Sequence, residues 1–262
     1  MQMYRKYGII LRVRYCEALR SNLTQHAHHD WDKIASFLAM TSWVRANQIF
    51  PVHLPRMNIT LTNAGKKYGR NWIFRNFSHK FVDGKRYVTI GPNGSGKSTL
   101  LKIVSGGATL SEGNVEFTND GKVLKPEDVF THVSIAAPWL DIPEEYTLEE
   151  IIIFHTQFKK FQKIISVKEA IKIIEMEHTR EKHYRNFSSG MKQRVKLGLA
   201  ILSETPLLLL DEPVTALDAK SVKWYQDMIA EYAMNRTIIV FSNNREEEFG
   251  FCEETVHIKA EN

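Results

Sequence analysis

Gly91-Pro92-Asn93-Gly94-Ser95-Gly96-Lys97-Ser98 matches the spacing G-x-x-x-x-G-K-[ST], and its reading decides the fold. The glycines let the backbone turn tightly and bring its N–H groups onto phosphate oxygens. Lys97 sets a point charge on a flexible stem beside the terminal phosphates. Ser98 supplies a hydroxyl suited to a divalent cation, and Thr99 follows it into a helix. The flanks fit the chemistry. Arg86 to Ile90 reads as a strand, and Ser98 to Val104 as the start of a helix whose positive end faces the anion. The pattern predicts a phosphate-binding loop between a strand and a helix.

A second element lies more than a hundred residues downstream. Leu207-Leu208-Leu209-Leu210 suits a strand buried on both faces, and Asp211-Glu212 closes it. Asp211 at the carboxyl end of that strand is placed to hold Mg²⁺ with Ser98. Glu212, next along, can polarise an attacking water.

A third element separates the classes of phosphate-loop protein. Asn186-Phe187-Ser188-Ser189-Gly190-Met191-Lys192-Gln193-Arg194 resembles the L-S-G-G-Q signature of the ABC ATPases, with Ser188 and Gly190 kept and Phe187, Ser189 and Met191 substituted. Thr215-Ala216-Leu217-Asp218 resembles that family's D-loop. The resemblance covers about residues 57 to 258 and implies an α/β fold: a P-loop NTPase core sheet with flanking helices and an inserted helical subdomain, about residues 139–202. It also implies an ATP-hydrolysing subunit of an ABC transporter, with ATP and Mg²⁺ as cofactors. Each nucleotide is then held by Gly91 to Thr99 of one chain and by Ser188, Ser189 and Gly190 of a second subunit. Ser98 and Asp211 hold the metal, and Lys97, Glu212 and Asn243 serve the chemistry. Tyr68 stands where the family stacks an aromatic on adenine; the alternative is a core aromatic at a strand end. An integral membrane permease is the implied partner, and the inner face of the cell membrane the implied location.

Two departures bear on turnover. Ser242-Asn243-Asn244 puts Asn243 where the family has a histidine; an amide can hydrogen-bond a phosphate oxygen but carries no charge. The Gln of the family's Q-loop is missing from Val133 to Trp139, where Pro138 stands at about its place. Both losses point to slow or differently coupled hydrolysis.

Charge location weighs against a nucleic-acid partner. Of 35 Lys/Arg and 30 Asp/Glu, residues 1–56 hold eight and three, which leaves 27 of each in residues 57–262. The net charge of +5 thus belongs to the first segment, outside the chemistry. The runner-up, a soluble ABC-type ATPase acting on nucleic acid or ribosomes, lacks the second cassette or coiled coil usual there. A weakly hydrolysing nucleotide-binding module is the third reading. Cys16 and Cys252 make no disulfide framework, so a reducing cytoplasm is expected. No apolar run approaches the ~18 residues of a membrane span.

Residues 1–56 read unlike the rest, with one plausible helix at Trp31 to Val44 and breaks at Pro51 and Pro55. They are either an appended segment or residues upstream of a working start at Met57. His26, His28 and His29 lack cysteine or carboxylate partners at metal-ligand spacing and read as a solvated stretch.

Overall fold

The structure, a computed structural model, describes residues 56–162 and 165–259. The helix expected at Trp31 to Val44, the histidine cluster and the question of the start all lie outside the described residues.

The chain forms β1 (Met57–Tyr68), β2 (Asn71–Phe81), β3 (Arg86–Ile90), α1 (Lys97–Val104), β4 (Glu112–Asn119), β5 (Lys122–Val123) and β6 (Val133–Ala136). It continues through α2 (Leu148–Phe158), α3 (Val167–Ile173), α4 (Ser189–Leu202), β7 (Leu207–Asp211), α5 (Ala219–Tyr232), β8 (Thr237–Ser242), α6 (Glu246–Phe249) and β9 (Glu254–His257). Two sheets result. One is antiparallel, in the order β2-β1-β4-β5; the other is parallel, in the order β6-β7-β8-β3-β9. The parallel sheet is the expected phosphate-loop core. Of the antiparallel sheet beside it only the first strand is legible in the sequence: Met57 to Thr62 alternate as a strand start, and the strand runs on to Tyr68.

The apolar strands of the parallel sheet are buried on both faces, and their alternation divides the core in two. Leu208, Leu210, Ile238 and Val240 pack with Val195 and Leu197 of α4 and with Trp224 and Tyr225 of α5. Leu207, Leu209, Ile239 and Phe241 face the other way, onto Leu100, Leu101 and Ile103 of α1 and Ile59, Leu61 and Phe117 of the antiparallel sheet. Full burial of each such side chain is worth about 1.5–3 kcal/mol. Both faces of β7 are therefore needed, which is why four leucines stand in a row.

Within the predicted helical segment the first α-helix, α2, begins at Leu148. Thr147 caps α2 in a reciprocal box with Glu150, and Ser166 caps α3 in another with Glu169. Leu148, Ile151, Ile152, His155 and Phe158 follow helical spacing in the sequence; the first three are buried, but Phe158 is 69% exposed. Ile171, Ile173, Ile174 and Met176 continue the helical spacing in the sequence, but α3 ends at Ile173, and Glu175 takes φ +54°. Among the described residues no helix is long and apolar enough to cross a membrane.

Candidate nucleotide site

Register places the site. β8 lies between β7 and β3: Ile90 pairs with Ser242, and Phe241 with Asp211. The chain leaves these three strands at Gly91, Glu212 and Asn243, side by side at the carboxyl edge of the sheet. Open parallel sheets bind ligands there. Asn243, on the middle strand's loop, falls between the lysine of one neighbour and the glutamate of the other.

The side chains bear this out. The Lys97 ammonium donates to the Gly91 carbonyl at 2.7 Å, the Pro92 carbonyl at 3.1 Å and Asn243 Oδ1 at 2.5 Å. Asn243 Nδ2 donates to Glu212 Oε1 at 2.5 Å. Ser98 Oγ donates to Asp211 Oδ2 at 3.0 Å. Lys97, Ser98, Glu212 and Asn243 line a cavity of about 500 Å³ together with Ile73, Asn93, Gly94, Gly96 and Thr99. A second cavity of about 670 Å³ adjoins it across Asn93 and Asn243 and extends toward His257.

Two glycines of the loop have no substitute. Gly96 adopts φ +97°, and a Cβ there would meet Ile73 at 2.6 Å. A Cβ on Gly91 would lie 2.4 Å from Ser95 Oγ and 2.7 Å from the Ile258 carbonyl.

Charge and donors suit a polyphosphate with a divalent cation. α1 starts at Lys97 with no acidic residue in its first turn, and its first intrahelical bond runs from Leu100 N–H to Gly96. The amides of Lys97, Ser98 and Thr99 are therefore free of helical partners and face the cavity. Ser95 Oγ is buried without a hydrogen-bond partner. Burial pushes the Lys97 ammonium's pKa down, against the pull of Glu212 and Asp211. Burial likewise pushes the Asp211 carboxyl up, the Ser98 hydrogen bond holds it down, and Glu212 adds repulsion. A cation held by Ser98 and Asp211 would relieve both costs on the carboxylate.

Glu212 holds φ +46°, a left-handed conformation that a non-glycine residue adopts at a cost, while its N–H donates to the Phe241 carbonyl at 2.9 Å. Its carboxylate meets the Asn243 amide.

Other expected residues lie outside this cavity. Ser188 caps α4, accepting the Met191 N–H at 3.3 Å, and Ser188 and Ser189 are exposed. Gly190 packs so closely that a Cβ would meet the Ala216 carbonyl at 2.9 Å, so the signature segment and the D-loop adjoin within one chain. Tyr68 is 52% exposed at the end of β1, with the Lys66 ammonium 5.1 Å from its ring centroid; it is not a core aromatic. Pro138 does not carry the contact expected of a Q-loop residue: its carbonyl accepts from Lys196 at 3.0 Å. The next residue, Trp139, helps to hold the Asp211 carboxyl's pKa down, against the larger upward push of burial. The sequence held one signal for it, an aromatic directly after Pro138 at the end of a core strand.

Comparison with known proteins agrees with this geometry. A family model described as ABC transporter matches residues 74–215. An aliphatic sulfonates import ATP-binding protein of Bacillus subtilis is 32% identical over 196 residues, 73% of this chain and 74% of that protein. A Fe(3+) ions import ATP-binding protein of Fusobacterium nucleatum is 29% identical over 167 residues, 63% of this chain but only 45% of that protein, so the chain spans less than half its length. Among solved structures, a dimeric ATP-binding cassette in a post-hydrolysis state with ADP and Pi superposes with a TM-score of 0.63 at 23% identity, over 78% of this chain and 97% of that one. That likeness shows the fold. By its sequence match, its paired sheets and its phosphate loop, the chain belongs to the ABC transporter family, of which it carries the ATP-binding domain.

Proposed function

We propose that the chain hydrolyses ATP with Mg²⁺ and, as a subunit of an ABC transporter, drives a separate integral membrane permease at the inner face of the membrane. The observation that carries the proposal is the bridge from Lys97 through Asn243 to Glu212 beside the Ser98–Asp211 pair. Phosphoryl transfer asks a protein mainly for positioning and electrostatic stabilisation. The loop amides and Lys97 bind the phosphates, Asn243 orients Glu212, and Glu212 accepts a proton from the attacking water. Ser98 and Asp211 would hold Mg²⁺, which supplies positive charge to the phosphate oxygens. The exposed Ser188 and Ser189, with Gly190 beside them, support a head-to-tail pair of subunits, in which this segment covers the nucleotide of the partner subunit.

Glu212→Gln tests the reading. The amide keeps the shape of Glu212 but cannot take up the proton. The variant is expected to bind ATP and to elute in sizing chromatography as a nucleotide-loaded dimer. Hydrolysis at the wild-type rate would remove Glu212 from the mechanism.

A further inference from the structure

Glu248 is fully buried on the short helix α6, five residues past Asn243. A buried carboxyl is costly, and an apolar residue would fill the place at less expense. Its contacts show what it holds. Oε2 accepts the Ser242 hydroxyl, and the Ser242 oxygen accepts the Arg245 N–H at 3.2 Å. Burial pushes the Glu248 carboxyl's pKa up, and the Ser242 hydroxyl and the backbone amide of Val214 hold it down. The Glu248 carbonyl accepts the Tyr225 hydroxyl of α5 at 2.8 Å. Oε1 has no hydrogen-bond partner. Between these contacts lies a strained segment, with φ +68° at Asn244 and +46° at Glu212. Strained backbone persists only where its surroundings fix it.

We infer that Glu248 is a positioning residue: through Ser242 it anchors the loop of Asn243 against α5 and so sets the reach of the Asn243 amide to its two charged partners. Glu248 touches no reacting atom; it acts through Ser242, whose oxygen closes the turn onto the Arg245 N–H. The inference rests on the ATPase reading above and adds a residue that neither the phosphate loop nor the signature segment contains.

Steady-state hydrolysis by the full chain tests it, with calorimetry for ATP–Mg²⁺ affinity. Glu248→Ala is expected to lower kcat by about 10- to 100-fold while KM and ATP affinity hold, because misplacement of a catalytic group costs on that order. Ser242→Ala, which breaks the same link from the other side, should lower kcat alike. The double variant should fall no further than either single one, since coupled residues are not additive. Glu248→Gln keeps an acceptor for Ser242 and should recover most of the rate. Where Glu248→Ala fails to fold, Ser242→Ala carries the test. Wild-type kcat in folded Ser242→Ala or Glu248→Ala would overturn the inference. So would additive losses that lower affinity and rate together, which would mark a merely structural role. If the wild-type chain itself turns over no ATP, the functional reading fails with it; an active wild type beside an unaffected variant refutes only the role of Glu248.

Discussion

Asn243→Ala is the sharpest perturbation of the site. In the intact protein this amide accepts from Lys97 and donates to Glu212, each at 2.5 Å. A hydrogen bond to a charged group contributes about 1.5–3 kcal/mol net. Asn243 is exposed and faces the open cavity, so water replaces both bonds in the resting protein and folding stability changes little. The rate is another matter. If the bond that orients Glu212 is needed as water attacks, losing about 1.5–3 kcal/mol slows turnover about 10- to 150-fold, at 1.36 kcal/mol per tenfold. Lys97 keeps its contacts to the Gly91 and Pro92 carbonyls, so ATP affinity should hold. The assay is phosphate release at saturating ATP–Mg²⁺ with a calorimetric affinity alongside. Asn243→His, with one donor and one acceptor, should lose less than Asn243→Ala. An alanine variant that turns over as fast as the wild type would refute the orienting role.

Two further predictions concern the scaffold. Arg236 is fully buried, and its guanidinium donates to the Ser203 carbonyl at 2.8 Å, Ile201 at 2.5 Å and Thr205 Oγ1 at 3.2 Å, with burial pushing its pKa down to about 9. Arg236→Ala strands those acceptors and should lower stability by about 3–5 kcal/mol in denaturant unfolding, and Arg236→Lys should not restore it, since its ammonium lacks the guanidinium fork. His155, held by Ser203 at 2.8 Å, is pushed down to about 4 by burial, with Lys159 adding to the fall. The unfolded chain then binds a proton that the folded one excludes, so this contribution is full above the ordinary value of 6.5 and lost as pH falls toward 4. It amounts to at most about 3 kcal/mol, and His155→Phe should flatten the melting temperature across that window.

The parts of the fold that were legible in the sequence are those where one residue type answers one demand. Leu207 to Leu210 announce a strand buried on both faces, and the glycine-lysine run announces a loop that only a strand and a helix can hold. β2 and β4 were not legible, because both are mixed: Asn71, Arg75, Asn76 and Glu112 to Asn114 interrupt the alternation, and both strands are half exposed. Asn243 was found as a substitution, yet its bridging place comes from strand order, which puts β8 between β7 and β3. Trp139 and Glu248 were missed for a related reason. Each acts at long range on a residue the motifs do name, and no local spacing marks such a contact.

Phosphate release from ATP by the full chain, measured with and without Mg²⁺ for the wild type, Lys97→Ala and Glu212→Gln in one assay, tests the central claim most directly. Mg²⁺-dependent turnover in the wild type that is lost in both variants is the result expected. A wild type without turnover, or variants that keep it, would contradict the account.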